Sequence, residues 1–177
     1  LDDGSDQGAA WFASDFDDAT WASGLAQLGY GDGDETTTIS SGPSDDKNIT
    51  TYFRRQFNVD DLPSIEKLTI NLLRDDGAVV YLNGIEVVRS NMPSGAIGFN
   101  TAAAPQSIDG TEEDKFWAFN VEPSHLATGS NVLAVEIHQV SGSSADISFD
   151  LELIANEGDA SLTWEDGESG VKYFTLN

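Results

Sequence analysis

The chain has no cysteine, eight lysines and arginines, two histidines and no long apolar run. Each scarcity removes a class of protein. Without cysteine there is no disulfide framework, no zinc ribbon and no thiol nucleophile, and the redox compartment leaves no trace. Eight cations face 31 acids, so the formal net charge is −23 over 177 residues. A duplex nucleic-acid binder needs a basic face to replace phosphate counterions, and this composition builds no broad one. An anionic bilayer repels the same surface. No stretch reaches the ~18 apolar residues of a spanning helix. No charged-then-apolar leader opens the chain; it begins Leu1-Asp2-Asp3-Gly4, which reads as a mature or excised module.

What remains is enough for a packed core: 39% of residues are apolar and 10% aromatic. The carboxylates fall in Gly-, Ser- and Asn-rich stretches rather than in one block. The length suits a single domain, placed at residues 1–155. Residues 156–177 have linker composition and read as a C-terminal edge strand or a join to a following module.

Apolar residues alternate with period two far more than with period 3.6. Thr50 to Val59 places Phe53, Arg55, Phe57 and Val59 on one face. Residues 67–89 read as a three-stranded meander with tight turns at Asp75-Asp76-Gly77 and Asn83-Gly84, the second a strong hairpin signal because both residues tolerate positive φ. Asn131 to Val140 and Ile147 to Ile154 are clear strands; Phe116 to Val121 and Val171 to Leu176 are further candidates. Ala19 to Leu28 could give a helical turn or two, and Pro123 to Leu126 a short 3₁₀ piece. Residues 91–114 form a long connection that holds either a poorly patterned strand or a binding loop. The expected architecture is all-β, an antiparallel sandwich or barrel.

The run Asp75 to Gly84 resembles the block D-G-x-x-x-Y-x-N-G of galactose-binding-like jelly-roll domains, and Gly129 to Glu136 is similar to their late strand G-x-N-x-L-A-V-x. Trp21, Gly29 to Gly33, Tyr52 to Arg55, His138-Gln139 and Asp146-x-x-Phe149-Asp150 extend the likeness over residues 11–154. The resemblance implies an antiparallel β-sandwich of jelly-roll type. It also implies an accessory module of a secreted or cell-surface bacterial multidomain protein, monomeric within its larger chain, with a polysaccharide or glycan as partner and no nucleic acid or membrane.

No Gly-x-Ser-x-Gly elbow, His-Glu-x-x-His or phosphate loop is present, so no catalytic residue is assigned. Calcium, a hard cation that takes six to eight oxygens, suits the acids better. Candidate ligands are Asp15, Asp17, Asp32 and Asp34, the last two flanking the flexible Gly33. The resemblance implies that Asp150 closes such a structural site with an early-loop acid; the alternative is a solvated acidic surface. Asp75-Asp76 also resembles the pair with which some β-barrel adhesin domains hold a calcium that bridges to sugar, against the plainer reading of a turn with two exposed acids.

Sugar recognition needs an aromatic face and a few polar groups. Trp11, Phe12, Trp21, Tyr30, Phe99, Trp117 and Trp164 lie in loop-like or strand-edge sequence. Trp21 and Tyr30, among Gly and Asp, are the first choices for exposure; Trp117 is a further ligand candidate, though its strand position favours packing. Asp76, Arg89 and Asn91 supply polar groups. Arg55 falls on an interior face and needs a carboxylate. The expected polar network therefore pairs Arg54 or Arg55 with Glu136 and extends to His138. Arg54, Arg55, Arg74 and Arg89 would form a patch for acidic glycans only if they converge. The functional expectation is a non-catalytic, calcium-stabilised carbohydrate-binding module; the alternative is a calcium-stiffened structural spacer or adhesion module with no specific glycan.

Overall fold

The structure is a computed structural model that describes residues 4–104, 112, 114–157 and 171–175. Among the described residues ten strands fall into two sheets. They are β1 (Leu28–Tyr30), β2 (Thr37–Thr38), β3 (Thr50–Val59), β4 (Ile65–Asp75), β5 (Gly77–Leu82), β6 (Ile85–Ser90), β7 (Trp117–Val121), β8 (Gly129–His138), β9 (Ile147–Glu157) and β10 (Val171–Thr175). One sheet runs β2-β1-β9-β4-β7, with β10 beside the far half of β9; the other runs β3-β8-β5-β6. Every pairing is antiparallel except β1 with β2. The fold is therefore an all-β sandwich. Residues 158–170, with Trp164, lie outside the described residues.

Alternation along the long strands supplies the core. Ile70, Leu72, Phe149, Leu151 and Leu153 from one sheet meet Val80, Leu82, Leu133, Val135 and Ile137 from the other, all essentially inaccessible. Phe53 and Phe149 link the layers with ring centroids 4.4 Å apart. Asn83-Gly84 makes the expected hairpin between β5 and β6: both residues have positive φ, 52° and 84°. Asn83 also donates to the His125 carbonyl and accepts from Val132 N–H, so the turn is tied to β8.

The expected three-stranded meander does not form. β4 and β5 belong to different sheets, and Asp75-Asp76 carries the chain from one layer to the other. Residues 72–80 are buried without a break, so they carry no alternation to mark the change of layer. The two acids are 1% and 2% exposed, not the open turn that their charge suggests. No helix forms over residues 19–28; Pro123–His125 is a 3₁₀ turn as expected. Among the described residues no helix is long and apolar enough to cross a membrane.

The four-stranded sheet also has a covered outer face. Trp11, Phe12, Phe16 and Trp21 of the N-terminal segment pack there against Tyr52, Tyr81, Ala134 and Phe99. Arg54 holds the segment down. Its side chain is 2% exposed, its Nε donates to Asp18 at 2.8 Å, and its Nη1 donates to the carbonyls of Trp11 and Ala13. Arg54→Met keeps the aliphatic stem and strands those acceptors, which should cost about 2–4 kcal/mol. Chemical denaturation checks the loss, and limited proteolysis should show earlier cutting within residues 5–21.

Candidate functional site

The N-terminal segment does not close completely over the sheet. Between residues 6–12 on one side and 95–99 on the other lies a groove of about 540 Å³. Its floor and walls carry Trp11, Phe12, Tyr52, Tyr81 and Phe99, with Glu86, Arg89 and Glu136 as the charged groups of the sheet. The aromatic rings brace one another. Phe12 stacks on Tyr81 at 4.5 Å, and Trp11 lies 4.5 Å from Tyr52 and edge-on to Tyr81 at 5.6 Å. Such pairs hold ring planes in fixed orientations, which a flat ligand can match.

Glu136 sits at the floor because β8 register brings it opposite Tyr52 on one side and Val79 on the other. It is 3% exposed. Its Oε1 accepts from the Tyr81 hydroxyl at 2.8 Å, and its Oε2 lies 3.3 Å from His138 Nε2. The contact with His138 is close in distance but lacks hydrogen-bond alignment. The other ring nitrogen has a defined role. The Thr101 carbonyl, 2.7 Å from His138 Nδ1, can only accept, so Nδ1 carries a proton. Thr50 Oγ1 donates to the Phe99 carbonyl and so stands as a second acceptor 2.9 Å from Nδ1. A proton on Nε2 as well makes the Glu136 contact an ion pair; without it two lone pairs face each other in a buried site. Burial and the adjacent Glu136 raise the Tyr81 hydroxyl far above its ordinary value, so it remains a donor.

Arg89 closes the groove at β6. Its Nε and Nη2 bond both Glu86 oxygens, at 2.8 and 2.7 Å, and its Nη1 donates to the carbonyls of Pro93 and Gly95. This fork pulls Glu86 below the ordinary carboxylate range.

Of the six candidate ligand residues, the groove gathers Arg89 alone. Tyr30, expected to be exposed, is buried in the sandwich core; its hydroxyl is bonded by Gln139, and burial pushes it up to about 12. Asp76 is buried at the crossover, where its carboxylate accepts from Val140 N–H and its carbonyl from Asn91. Trp21 is half-buried, edge-on to Phe16. Trp117, half-buried on the edge strand β7, lies beneath the Lys115 ammonium at 3.8 Å.

The polar network is also redistributed. Glu136 and His138 do meet, but Arg54 pairs with Asp18 rather than Glu136. Arg55 is exposed rather than interior, because β3 is an edge strand past which a long side chain reaches solvent. The four arginines do not converge: Arg54 lies under the N-terminal segment, Arg74 is buried against Ser90, and Arg89 is engaged by Glu86. Trp11, Phe12 and Phe99 stood among the aromatic candidates, but their meeting with Tyr52 and Tyr81 in one groove was missed. Tyr52 and Tyr81 were readable as outward positions on their strands; the contacts of Phe12 and Phe99 come from distant segments.

Among the acids, Asp32, Asp34 and Glu35 bring oxygens within 4.8 Å of one another. Glu35 already accepts the N–H groups of Asp32 and Gly33, and Asp32 accepts from Ser148. Asp15 and Asp17 are exposed and lie outside that group. Asp150 shares the outer face of β9 with Ser148 but does not join it either; its carboxylate accepts Leu151 N–H instead. A different acidic place is Asp75-Asp76. Nearby, Gln139 donates to Tyr30 while its buried Oε1 finds no hydrogen-bond partner among the described residues.

No family model and no curated protein matches the chain. Among solved structures it is similar to an α-L-rhamnosidase of Streptomyces avermitilis in complex with L-rhamnose, at 18% identity over 78% of this chain and 11% of that one, TM-score 0.49. It is similar to a β-glucuronidase of Bacteroides uniformis at 16% identity over 96% and 24%, TM-score 0.44. It is also similar to the PA14 domain of the antifreeze protein MpAFP at 13% identity over 72% and 48%, TM-score 0.35. The chain thus spans from about a tenth to about half of the solved chains it matches.

Asp150 offers a check on the outer face of β9. Burial raises its carboxyl above the ordinary aspartate value, so ionisation is less favourable in the folded chain than in the unfolded one. That penalty is complete above the folded value and vanishes below the unfolded value of ~3.9. Asp150→Asn retains an acceptor for Leu151 N–H. It should raise Tm at pH 7, with the difference shrinking to nothing in melts taken below about pH 4.

Proposed function

We propose that the chain is a non-catalytic carbohydrate-binding module, stabilised by calcium, that keeps an attached secreted enzyme or adhesin near a polysaccharide. The observation that carries this reading is the aromatic groove with a carboxylate at its floor. A pyranose presents an apolar face of C–H groups and a rim of hydroxyls, and stacked rings with a few polar groups complement both. The carboxylates of the groove support a binding role over a catalytic one. Of the two that the sheet contributes, Glu86 has both oxygens taken by Arg89 and Glu136 is held by Tyr81 beside His138, so neither stands as an open acid or base.

The alternative, a structural spacer, draws support from Trp11 and Tyr52, which are 2% and 1% exposed and act first as a secondary core. Phe12 and Tyr81 separate the two readings because they are only half-buried at the groove. On the binding reading, Phe12→Ala and Tyr81→Ala each weaken retardation in polysaccharide-containing gels by about tenfold or more, while thermal melts show both variants folded. A module that no polysaccharide retards, yet is stiffened by calcium, is a spacer.

Two places suit the calcium. At the turn, Asp32, Asp34 and Glu35 would supply exposed carboxylates. At the crossover, Asp75 and Asp76 would supply buried ones, and the Gln139 Oε1 without a hydrogen bond is an oxygen of the kind calcium takes. A bound ion would offset the cost of burying adjacent acids there. Calcium should raise Tm of the intact chain. Loss of that rise in Asp76→Asn but not in Asp34→Ala assigns it to the crossover, and the reverse pattern assigns it to the turn. A Tm indifferent to calcium and chelator rules out calcium stabilisation.

A further inference from the structure

Resting on the binding reading of the groove, we propose that it selects uncharged saccharides and rejects uronate and sulfated glycans, with Glu136 as the acceptor for a sugar hydroxyl. The argument is one of charges already spent. Among the described residues, Arg89 is the one lysine or arginine lining the groove. Its guanidinium has five N–H donors, and four bonds already leave it: two to Glu86, one to the Pro93 carbonyl and one to the Gly95 carbonyl. It braces β6 against the 93–95 loop and has no second fork to offer a carboxylate or sulfate.

The remaining charged lining is acidic: Asp6, Glu86 and Glu136. An anionic sugar entering there meets Asp6 and Glu136, and among the described residues of the lining the lysine or arginine charge is already committed to Glu86, in a chain of net charge −23. Hydroxyl groups suit the same lining, since carboxylate oxygens only accept and sugar hydroxyls donate. Glu136 is the oxygen-bearing group set among the rings. Tyr81 takes one direction on Oε1, and a carboxylate has further lone pairs to give.

The test is affinity electrophoresis of the intact chain, with calcium and again with chelator so that calcium bridging cannot imitate direct binding. The probes are neutral polysaccharides (a β-glucan, a galactan, a mannan) and acidic ones (polygalacturonate, alginate, a sulfated galactan). The wild type should be retarded by a neutral polymer and by no acidic one. Glu136→Gln, shown folded by its melt, should weaken the neutral interaction about tenfold. Glu86→Gln alters a partly exposed residue and releases the Arg89 fork, so it should gain retardation by an acidic polymer. Wild-type retardation by an acidic polymer in chelator overturns the selectivity and leaves the binding reading standing. Undiminished neutral binding in folded Glu136→Gln overturns the role of Glu136. Retardation by no polymer at all overturns the binding reading and the selectivity with it.

Discussion

The Arg54 guanidinium lies under the N-terminal segment with one carboxylate and three backbone carbonyls bonded to it. An inner strand of a two-layer sandwich faces the other sheet on one side only, and its outer face must otherwise meet water. Here that face bears Tyr52, Tyr81, Glu136 and His138, two of them aromatic and two ionisable, and water is kept from most of it by a segment with no strand of its own. Backbone without sheet pairing has carbonyls to satisfy, and a buried cation needs acceptors; each meets the other's requirement. The groove exists because this cover is anchored along one line and stands off the 95–99 loop.

The polar residues beneath the cover are then bound to one another. Glu136 is held by Tyr81 and faces His138; His138 is fixed through Nδ1 by Thr101 and Thr50; Thr50 reaches Phe99. This chain of contacts ties β3, β5 and β8 to the residue 99–101 loop, so the groove wall and floor share one set of bonds. Hydrogen bonds between buried groups of distant segments favour a unique arrangement, whereas a polar group left open favours water entry and a looser face.

Legibility followed the locality of the forces. The Asn83-Gly84 hairpin, the strands over 131–138 and 147–154 and the all-β class were readable, because turn chemistry and period-two alternation act within a few residues. The layer change at Asp75-Asp76 was not, since residues 72–80 are buried on both faces and alternate in nothing. Nor was the Arg54 partner. The need of an interior arginine for a carboxylate pointed to Glu136; Asp18 arrives from a segment with no repeating pattern.

From sequence alone followed the long strands, the hairpin turn and the exclusion of broad basic surfaces. These depend on residue type and on neighbours close in the chain. Tertiary structure alone decided that Asp76 and Tyr30 are buried, that Arg89 is committed to Glu86 and the 93–95 loop, and that Phe12 stacks on Tyr81 and Phe99 on Tyr52. Those outcomes depend on which distant segments pack together. A charge or a ring has the same intrinsic chemistry wherever it lies, but its solvent access and its partners are set by packing across the whole chain.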